Sequence, residues 1–286
     1  MHFILLGISG LIMIALPLLI ATWFARRFGV GWGLFGAGAV TFVAAQILHI
    51  PFNRFMETRF MPEFDPAVDV GLFVVVALLY GLSAGVFEEV GRYITFRFWR
   101  RDARRWSEGL MAGAGHGGIE SLILGLIVVV NAAVLYGISQ GAFGGLVPET
   151  ALAGVQAEVA TLREAPLYEM MLGAVERALT IVVHLSLSLM VLRAVARGSL
   201  RWLLLAISWH TLLNATALVV ARYSSVVWAE VGIAAFALVS LGLIYRWRPP
   251  APELQEPEPA LLPEKRPLPK VELDEMESKL EESRYS

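Results

Sequence analysis

The stretch FILLGISGLIMIALPLLIATWF, residues 3–24, contains no charged side chain. A helix needs about 20 consecutive apolar residues to cross the hydrocarbon core of a bilayer. The stretch is too long for the apolar core of a signal peptide, which has about 7–15 residues, and no Lys or Arg precedes it. We therefore interpret residues 3–24 as the first membrane span.

Six further segments of the chain meet the same criterion of length and apolarity. The composition agrees with a membrane protein, because 57% of the residues are hydrophobic and only 17% are charged, whereas soluble domains have about 25% charged residues. The absence of Cys excludes disulfides and thiolate-bound metals. We predict an all-α, polytopic membrane helical bundle of about seven transmembrane helices, at approximately residues 3–24, 29–50, 67–90, 110–137, 170–192, 200–220 and 226–245.

Arginine is concentrated in every second connection between the predicted spans. Residues 26–27, 97–105, 193–201 and 246–248 are basic, whereas residues 51–69 and 138–169 carry more acidic than basic groups. Cytoplasmic connections are enriched in Lys and Arg. The pattern predicts a multi-pass protein of the cell membrane with its N-terminus outside and its C-terminus in the cytoplasm.

The chain divides at about residue 249 into a membrane part and a tail. Residues 1–248 form the predicted transmembrane bundle, with a polar site inside the membrane. Residues 249–286 are rich in Pro and hold ten Asp and Glu against five Lys and Arg. We predict that this tail is cytoplasmic and disordered, with a short amphipathic helix at residues 270–283. No basic surface interleaved with aromatic residues predicts binding of nucleic acid.

Ionisable residues inside membrane spans are costly and indicate a functional site. The third span ends in GVFEEVGRY, where Glu88, Glu89 and Arg92 lie within one turn of helix. Arg92 can pair with one carboxylate and leave the other as a base. The structural alternative is an interfacial ion pair at the end of the span.

The fourth span contains His116 and Glu120, four residues apart and surrounded by glycines in GAGHGGIES. We predict that Glu120 accepts a hydrogen bond from the His116 imidazole and orients it. Small residues also permit close helix packing, and they let a helix bend or open. The sixth span repeats the spacing with His210 and Asn214, which can both donate to a developing oxyanion.

The fifth span contains Glu176, Arg177 and His184. Arg177 and His184 are seven residues apart and share a face, which favours a role for His184 in the same site. The polar stripes of four helices can face one cavity that is open to the cytoplasmic side. We assign His49 and Glu230 to the ends of spans, outside this site.

The order of these residues resembles the type II CAAX-prenyl endopeptidase superfamily, also called the CPBP or Abi group. Its members show EExxxR, then a His, then HxxxN or HxxxD. Here the first motif is one residue shorter, with Arg92 three positions after Glu89. The elements GAGHGGIE and ER…H are similar to the YhfC branch, whose members are named intramembrane metalloproteases. The resemblance covers approximately residues 70–220.

The resemblance implies hydrolysis of peptide bonds inside the membrane. By this analogy Glu88 activates a water molecule, which it shares with His116 or His184, while Arg92 holds Glu89. The shorter spacing of the first motif leaves open whether Glu88 and Glu89 exchange these roles. The resemblance further implies that His210 and Asn214 line the oxyanion hole.

Two mechanisms are compatible with these residues. A Glu can act directly as general base, or zinc can be held by His116, His184 or His210 together with a Glu and activate its bound water. The zinc-peptidase motif HExxH is missing. The catalytic set that we predict is therefore Glu88, Glu89, Arg92, His116, Glu120, His184, His210 and Asn214.

The expected substrate is a membrane-embedded protein or a lipidated peptide, and membrane lipid surrounds the bundle. Two other classes of function remain open. Polar groups at membrane depth also occur in ion or metal transporters, although no inverted repeat is visible in the sequence. A non-catalytic scaffold that binds such substrates is the third possibility. The sequence defines no oligomeric state.

Overall fold

Eight α-helices make up the part of the chain that the computed structural model describes, which is residues 1–60, 65–142, 149–250, 278–281 and 283. A π-helical turn, Thr95–Trp99, extends the third helix, and these residues contain no strand. The helices are α1 His2–Phe28, α2 Trp32–Phe60, α3 Val70–Ile94, α4 Trp106–Ser139, α5 Glu149–Glu164, α6 Glu169–Ala196, α7 Arg201–Tyr223 and α8 Val226–Arg246.

Seven of the eight helices are long and apolar enough to cross a membrane. The exception is α5, which is a 16-residue helix. The predicted fold class, an all-α bundle of seven membrane helices, is confirmed. The tail prediction lies almost entirely outside the described residues, although 278–281, within the predicted helix 270–283, are helical.

The observed helices differ from the predicted spans in two places. The apolar pattern predicts that the second span ends at residue 50, but α2 continues through Pro51 to Phe60, because the end of an apolar run does not have to end a helix. The connection at residues 138–169 contains α5, a 16-residue helix that is not one of the seven candidate membrane spans. Because α2 continues to Phe60, His49 lies within the helix and not at its end.

Helix α6 occupies the centre of the bundle. In its apolar window 78% of the residues are buried, compared with 22–33% in the other six spans. It packs against α1, α3, α4, α7 and α8. The other spans expose large apolar side chains such as Leu11, Leu19 and Leu238, which a bilayer can cover. Protein therefore surrounds α6, and lipid can reach the outer faces of the remaining spans.

Glycines on α4 bring its backbone close to two other helices. A Cβ added at Gly117 would lie 2.7 Å from the His184 ring on α6, and one at Gly115 would collide with the backbone of Phe35 on α2. The absence of side chains at these positions allows the close packing that small residues give in membrane helices. Helix α4 remains continuous through this segment, so the glycines serve packing and do not open the helix.

Two glycines of α2 provide a matched test of this packing. A Cβ at Gly38 would collide with the Ala112 carbonyl of α4, whereas a Cβ at Gly36 would meet nothing within 4 Å. We expect Gly38→Ala to lower the free energy of unfolding by about 1–3 kcal/mol through overpacking. Thermal unfolding of the purified protein in detergent measures the change.

The control is Gly36→Ala, which should leave the stability unchanged or raise it by up to about 1 kcal/mol, because Ala favours helix. Equal melting temperatures for the two variants would contradict the close contact between α2 and α4.

Candidate functional site

The two adjacent glutamates of α3 contact different partners. Glu88 Oε2 lies 3.0 Å from Nε2 of His116 on α4. Glu89 Oε1 accepts hydrogen bonds from Arg92 Nη1 and from Nδ1 of His210 on α7, the latter at 2.9 Å. Glu88, Glu89 and Arg92 are 5%, 0% and 3% exposed. The ion pair is therefore enclosed by the bundle and is not exposed at its surface.

Arg92 joins α3 to the central helix. Its Nη2 donates to Nδ1 of His184 at 2.7 Å and lies 4.0 Å from Glu88 Oε2. Since a guanidinium can only donate, Nδ1 of His184 carries the lone pair and Nε2 carries the proton. That proton is donated to Glu120 Oε2 at 3.0 Å. Arg92 and Glu120 together define one tautomer of His184.

The predicted pairing of Glu120 with His116 is wrong. Glu120 accepts from Arg177 Nη1 at 2.7 Å and from His184, both on α6, while the His116 ring turns to Glu88. Residues four apart on a helix share a face, but that face of α4 packs against α6. A charge-assisted bond from a guanidinium is stronger than one from a neutral imidazole, so Arg177 takes the first oxygen of Glu120. The second oxygen binds His184.

His210 is buried beside the glutamates, whereas Asn214 is peripheral. Because the Glu89 carboxylate accepts from Nδ1 of His210, Nε2 of that ring carries the lone pair, and it lies 4.0 Å from Glu88 Oε2. Asn214 is half-buried and takes part in none of the hydrogen bonds that connect the cluster in the described part of the chain. Its predicted role at an oxyanion hole is untested.

The polar stripes of α3, α4, α6 and α7 meet at one place inside the bundle. The ring centroids of His116 and His184 are 5.5 Å apart, and those of His184 and His210 are 5.8 Å apart. The spacing of the motifs predicted this convergence. We call this set of residues the central cluster: Glu88, Glu89, Arg92, His116, Glu120, His184 and His210.

A second-span contribution to the central cluster was missed by the sequence analysis. Gln46 Nε2 donates to Glu88 Oε1 at 3.0 Å, and His49 connects Gln46 to Ser83 and Asn53. Gln46, His49 and Asn53 are spaced by three and four residues, which places them on one face of α2. That spacing could have indicated a shared polar face on α2. The apolar run ends near residue 50, however, so the sequence analysis placed His49 at the end of a span.

Three residues of the central cluster can hold a metal ion. Glu88, His116 and His184 are buried, and each offers a donor atom within 4.8 Å of the others. Two imidazoles and a carboxylate are a ligand set of catalytic zinc sites. The predicted ligands His116 and His184 belong to this group, but the third member is Glu88. His210 lies outside it.

Two further observations show that the central cluster fits a cation. Nδ1 of His116 is enclosed and has no hydrogen-bond partner among the described residues. The central cluster also contains three carboxylates, the buried ones of Glu88 and Glu89 and the partly exposed one of Glu120, against the guanidinium groups of Arg92 and of Arg177, which contacts Glu120. With neutral imidazoles, one negative charge is left uncompensated in the membrane interior, where it is costly. A bound divalent cation would compensate this charge.

A polytopic helical bundle with such a cluster belongs to the multi-pass membrane proteins that contain a polar site within the bilayer. More specifically, the chain belongs to the YhfC intramembrane metalloprotease family, whose model matches residues 12–235. A relative from Bacillus subtilis (strain 168), called uncharacterized membrane protein YhfC, is 36% identical over 227 residues. These cover 77% of this chain and 85% of the relative. No solved structure matches the chain significantly.

The metal-ligand assignment predicts binding of one Zn²⁺ by the purified protein. We expect His184→Ala and His116→Ala to weaken zinc binding strongly, since each removes a donor of the buried group. His210→Ala should retain most of the affinity because His210 lies outside that group. Isothermal titration of metal-stripped protein with Zn²⁺ measures the affinities without any substrate.

His2→Ala is the matched control, because the His2 ring contacts the Ala165 carbonyl, far from the cluster. A loss of zinc in His210→Ala that equals the loss in His184→Ala would overturn the assignment. Binding that survives in His116→Ala and His184→Ala alike would do the same.

Proposed function

We propose that this protein is an intramembrane endopeptidase that hydrolyses a peptide bond in a membrane-embedded or lipidated protein substrate. The observation that carries the proposal is the buried group of Glu88, His116 and His184, which joins one carboxylate and two imidazoles from three helices. Membership in a family named for intramembrane metalloproteases supports the same activity.

The proposed cofactor is zinc, held by Glu88, His116 and His184. Zinc in such a site supplies a water molecule whose pKa is lowered to about 7. The chain itself supplies the environment. Gln46 donates to Glu88 Oε1 and fixes the orientation of that carboxylate, and Glu120 fixes the tautomer of His184 in which Nδ1 carries the lone pair. That lone pair accepts from Arg92 Nη2, a contact that the metal would replace. Such supporting contacts orient metal ligands and tune their basicity.

His210 is the proposed proton acceptor. Glu89 accepts a hydrogen bond from the protonated Nδ1 of His210 at 2.9 Å. Nε2 of the neutral ring then carries the lone pair and lies 4.0 Å from Glu88 Oε2. A neutral imidazole oriented in this way can take a proton from an attacking water and return it to the leaving amine. Once protonated, Nε2 can donate to an oxyanion instead. The negative charge of Glu89 stabilises the protonated ring, and the ion pair with Arg92 keeps Glu89 in its ionised form.

The basic connection that follows α3 determines how we propose that water reaches the site. Glu88 is six residues from the end of α3, about 9 Å at 1.5 Å per residue. The basic connection of residues 97–105 follows at that end. Basic connections are cytoplasmic as a rule, so the proposal includes cytoplasmic access of water and a C-terminus in the cytoplasm.

Glu88→Gln tests the proposed activity. The substitution keeps the shape of the side chain but removes the negative charge of the metal ligand, so hydrolysis should fall by at least about a thousandfold, the equivalent of about 4 kcal/mol. The assay incubates host membranes with purified protein and counts new peptide N-termini by mass spectrometry. Because every new N-terminus is counted, the assay works before the substrate is identified.

The control is Glu57→Gln on α2, a carboxylate that contacts Arg54 and Tyr80 at the surface. It should cleave like the wild type. The peptidase proposal fails if wild type and Glu88→Gln produce the same new N-termini.

Removal of the metal separates the two mechanisms. Chelation should abolish hydrolysis, and added Zn²⁺ should restore it, if the metal activates the water. Full activity in protein shown to be free of metal would instead assign the role of general base to Glu88 alone.

A further inference from the structure

A second set of polar side chains lies where α6 and α8 begin, away from the central cluster. A cavity of about 550 Å³ opens there between α5, α6 and α8. Four glutamates line it, and its lining contains no Lys, Arg or His. We call it the acidic cavity. Its carboxylates belong to Glu158, Glu169, Glu176 and Glu230.

Glu230 is the feature of the acidic cavity that points to a ligand. Its side chain belongs to a residue that is only 8% exposed. Its Oε2 atom is enclosed and has no hydrogen-bond partner among the described residues. A buried carboxylate without a partner is strongly disfavoured. The sequence pattern favours a position for Glu230 at the end of a span, but the structure encloses it on the wall of the cavity.

Arg177, which contacts one carboxylate of the acidic cavity, does not neutralise the other three. Arg177 donates through Nη1 to Glu120 at 2.7 Å and through Nη2 to Glu176. Both of these donor atoms are therefore engaged, and Nη1 is bonded to Glu120, which does not line the cavity. The other three carboxylates have no ion pair to the described residues. The cavity thus combines a net negative charge with an enclosed, unpaired oxygen.

The volume and the lining of the acidic cavity favour an organic cation over a bare metal ion. Among the described residues, only the group around Glu88 brings three metal-ligating side chains together, so the glutamates of the cavity do not form a preformed ion cage. Its volume is far larger than one ion requires. Leu162, Met170 and Val226 supply apolar walls, against which the methylene groups of a Lys or Arg side chain can pack.

We propose that the acidic cavity binds a Lys or Arg side chain of the membrane-protein substrate. This inference rests on the proposed function and adds a determinant of specificity to it. Glu176 and His184 are eight residues apart on α6, which is about 12 Å at 1.5 Å per residue. An extended peptide spans that distance in about four residues. The basic residue is therefore expected about four residues from the scissile bond.

Binding can be measured without hydrolysis in the Glu88→Gln protein in nanodiscs. The probe is a synthetic single-span peptide with one Lys at the flank, compared with the same peptide carrying Gln. The change from Lys to Gln should raise Kd about tenfold, which corresponds to about 1.4 kcal/mol. Adding Glu230→Gln to the protein should raise the Kd of the Lys peptide by the same factor and remove the difference between the peptides.

Glu164→Gln is the matched control, because Glu164 ends α5 but does not line the cavity. It should leave both affinities unchanged. If Glu230→Gln fails to fold, as judged by thermal unfolding, Glu169→Gln tests the same charge at another position of the lining.

Carbodiimide cross-linking locates the bound Lys. The only lysines of the protein are in the tail, at Lys265, Lys270 and Lys279, so an amide between a bundle glutamate and a peptide lysine is easily identified by mass spectrometry. We expect cross-links at Glu230 and at its neighbours in the cavity, and none at Glu164.

Three results would overturn the proposal. The first is equal affinity for the Lys and Gln peptides. The second is stabilisation by Ca²⁺ without any preference for the Lys peptide, which would assign the cavity to a divalent cation. The third is binding of spermidine with no such preference, which would assign it to free amines. A preference for the Lys peptide, together with the same new N-termini from wild type and Glu88→Gln in host membranes, would overturn the proposed function and leave binding of basic side chains by the cavity intact.

Discussion

The architecture of the site depends on local neutralisation of charge inside a bilayer. Arg92 is the central element, because its guanidinium contacts Glu89 on its own helix and His184 on α6, and Glu89 in turn holds His210 on α7. Loss of one member of a buried pair leaves an uncompensated charge. The same contacts that neutralise the charges therefore fix the relative positions of three helices, and the site and the bundle are stabilised together.

The small residues of α4 complement this electrostatic network. Gly117 leaves room for the His184 ring, and Gly115 and Gly38 allow α2 and α4 to approach at the level of the backbone. Without this close approach, His116 would not reach Glu88 on α3. Packing thus sets the distances at which the carboxylates and imidazoles meet. The geometry brings one carboxylate and two imidazoles close enough to hold a metal ion, and the family is named for metalloproteases.

The seven spans were predictable because bilayer thickness imposes their length, and the convergence of the polar stripes followed from their cost in lipid. The partner of Glu120 was not predictable, since spacing along α4 cannot reveal that Arg177 faces it from α6. Gln46 and His49 were missed because the apolar run of α2 ends near residue 50 while the helix continues to Phe60. Sequence spacing reports a shared face, and only the packing of helices decides which partners meet across it.

The central position of α6 has a consequence for how the protein is made. A helix that carries Arg177 and His184 and is mostly enclosed by the other helices offers little surface to lipid. During synthesis it leaves the ribosome after α1 to α4 and before α7 and α8. Stable insertion of α6 therefore requires that Glu120 on α4 is already in the membrane to receive Arg177, so the order of the chain matches the order in which charges find their partners.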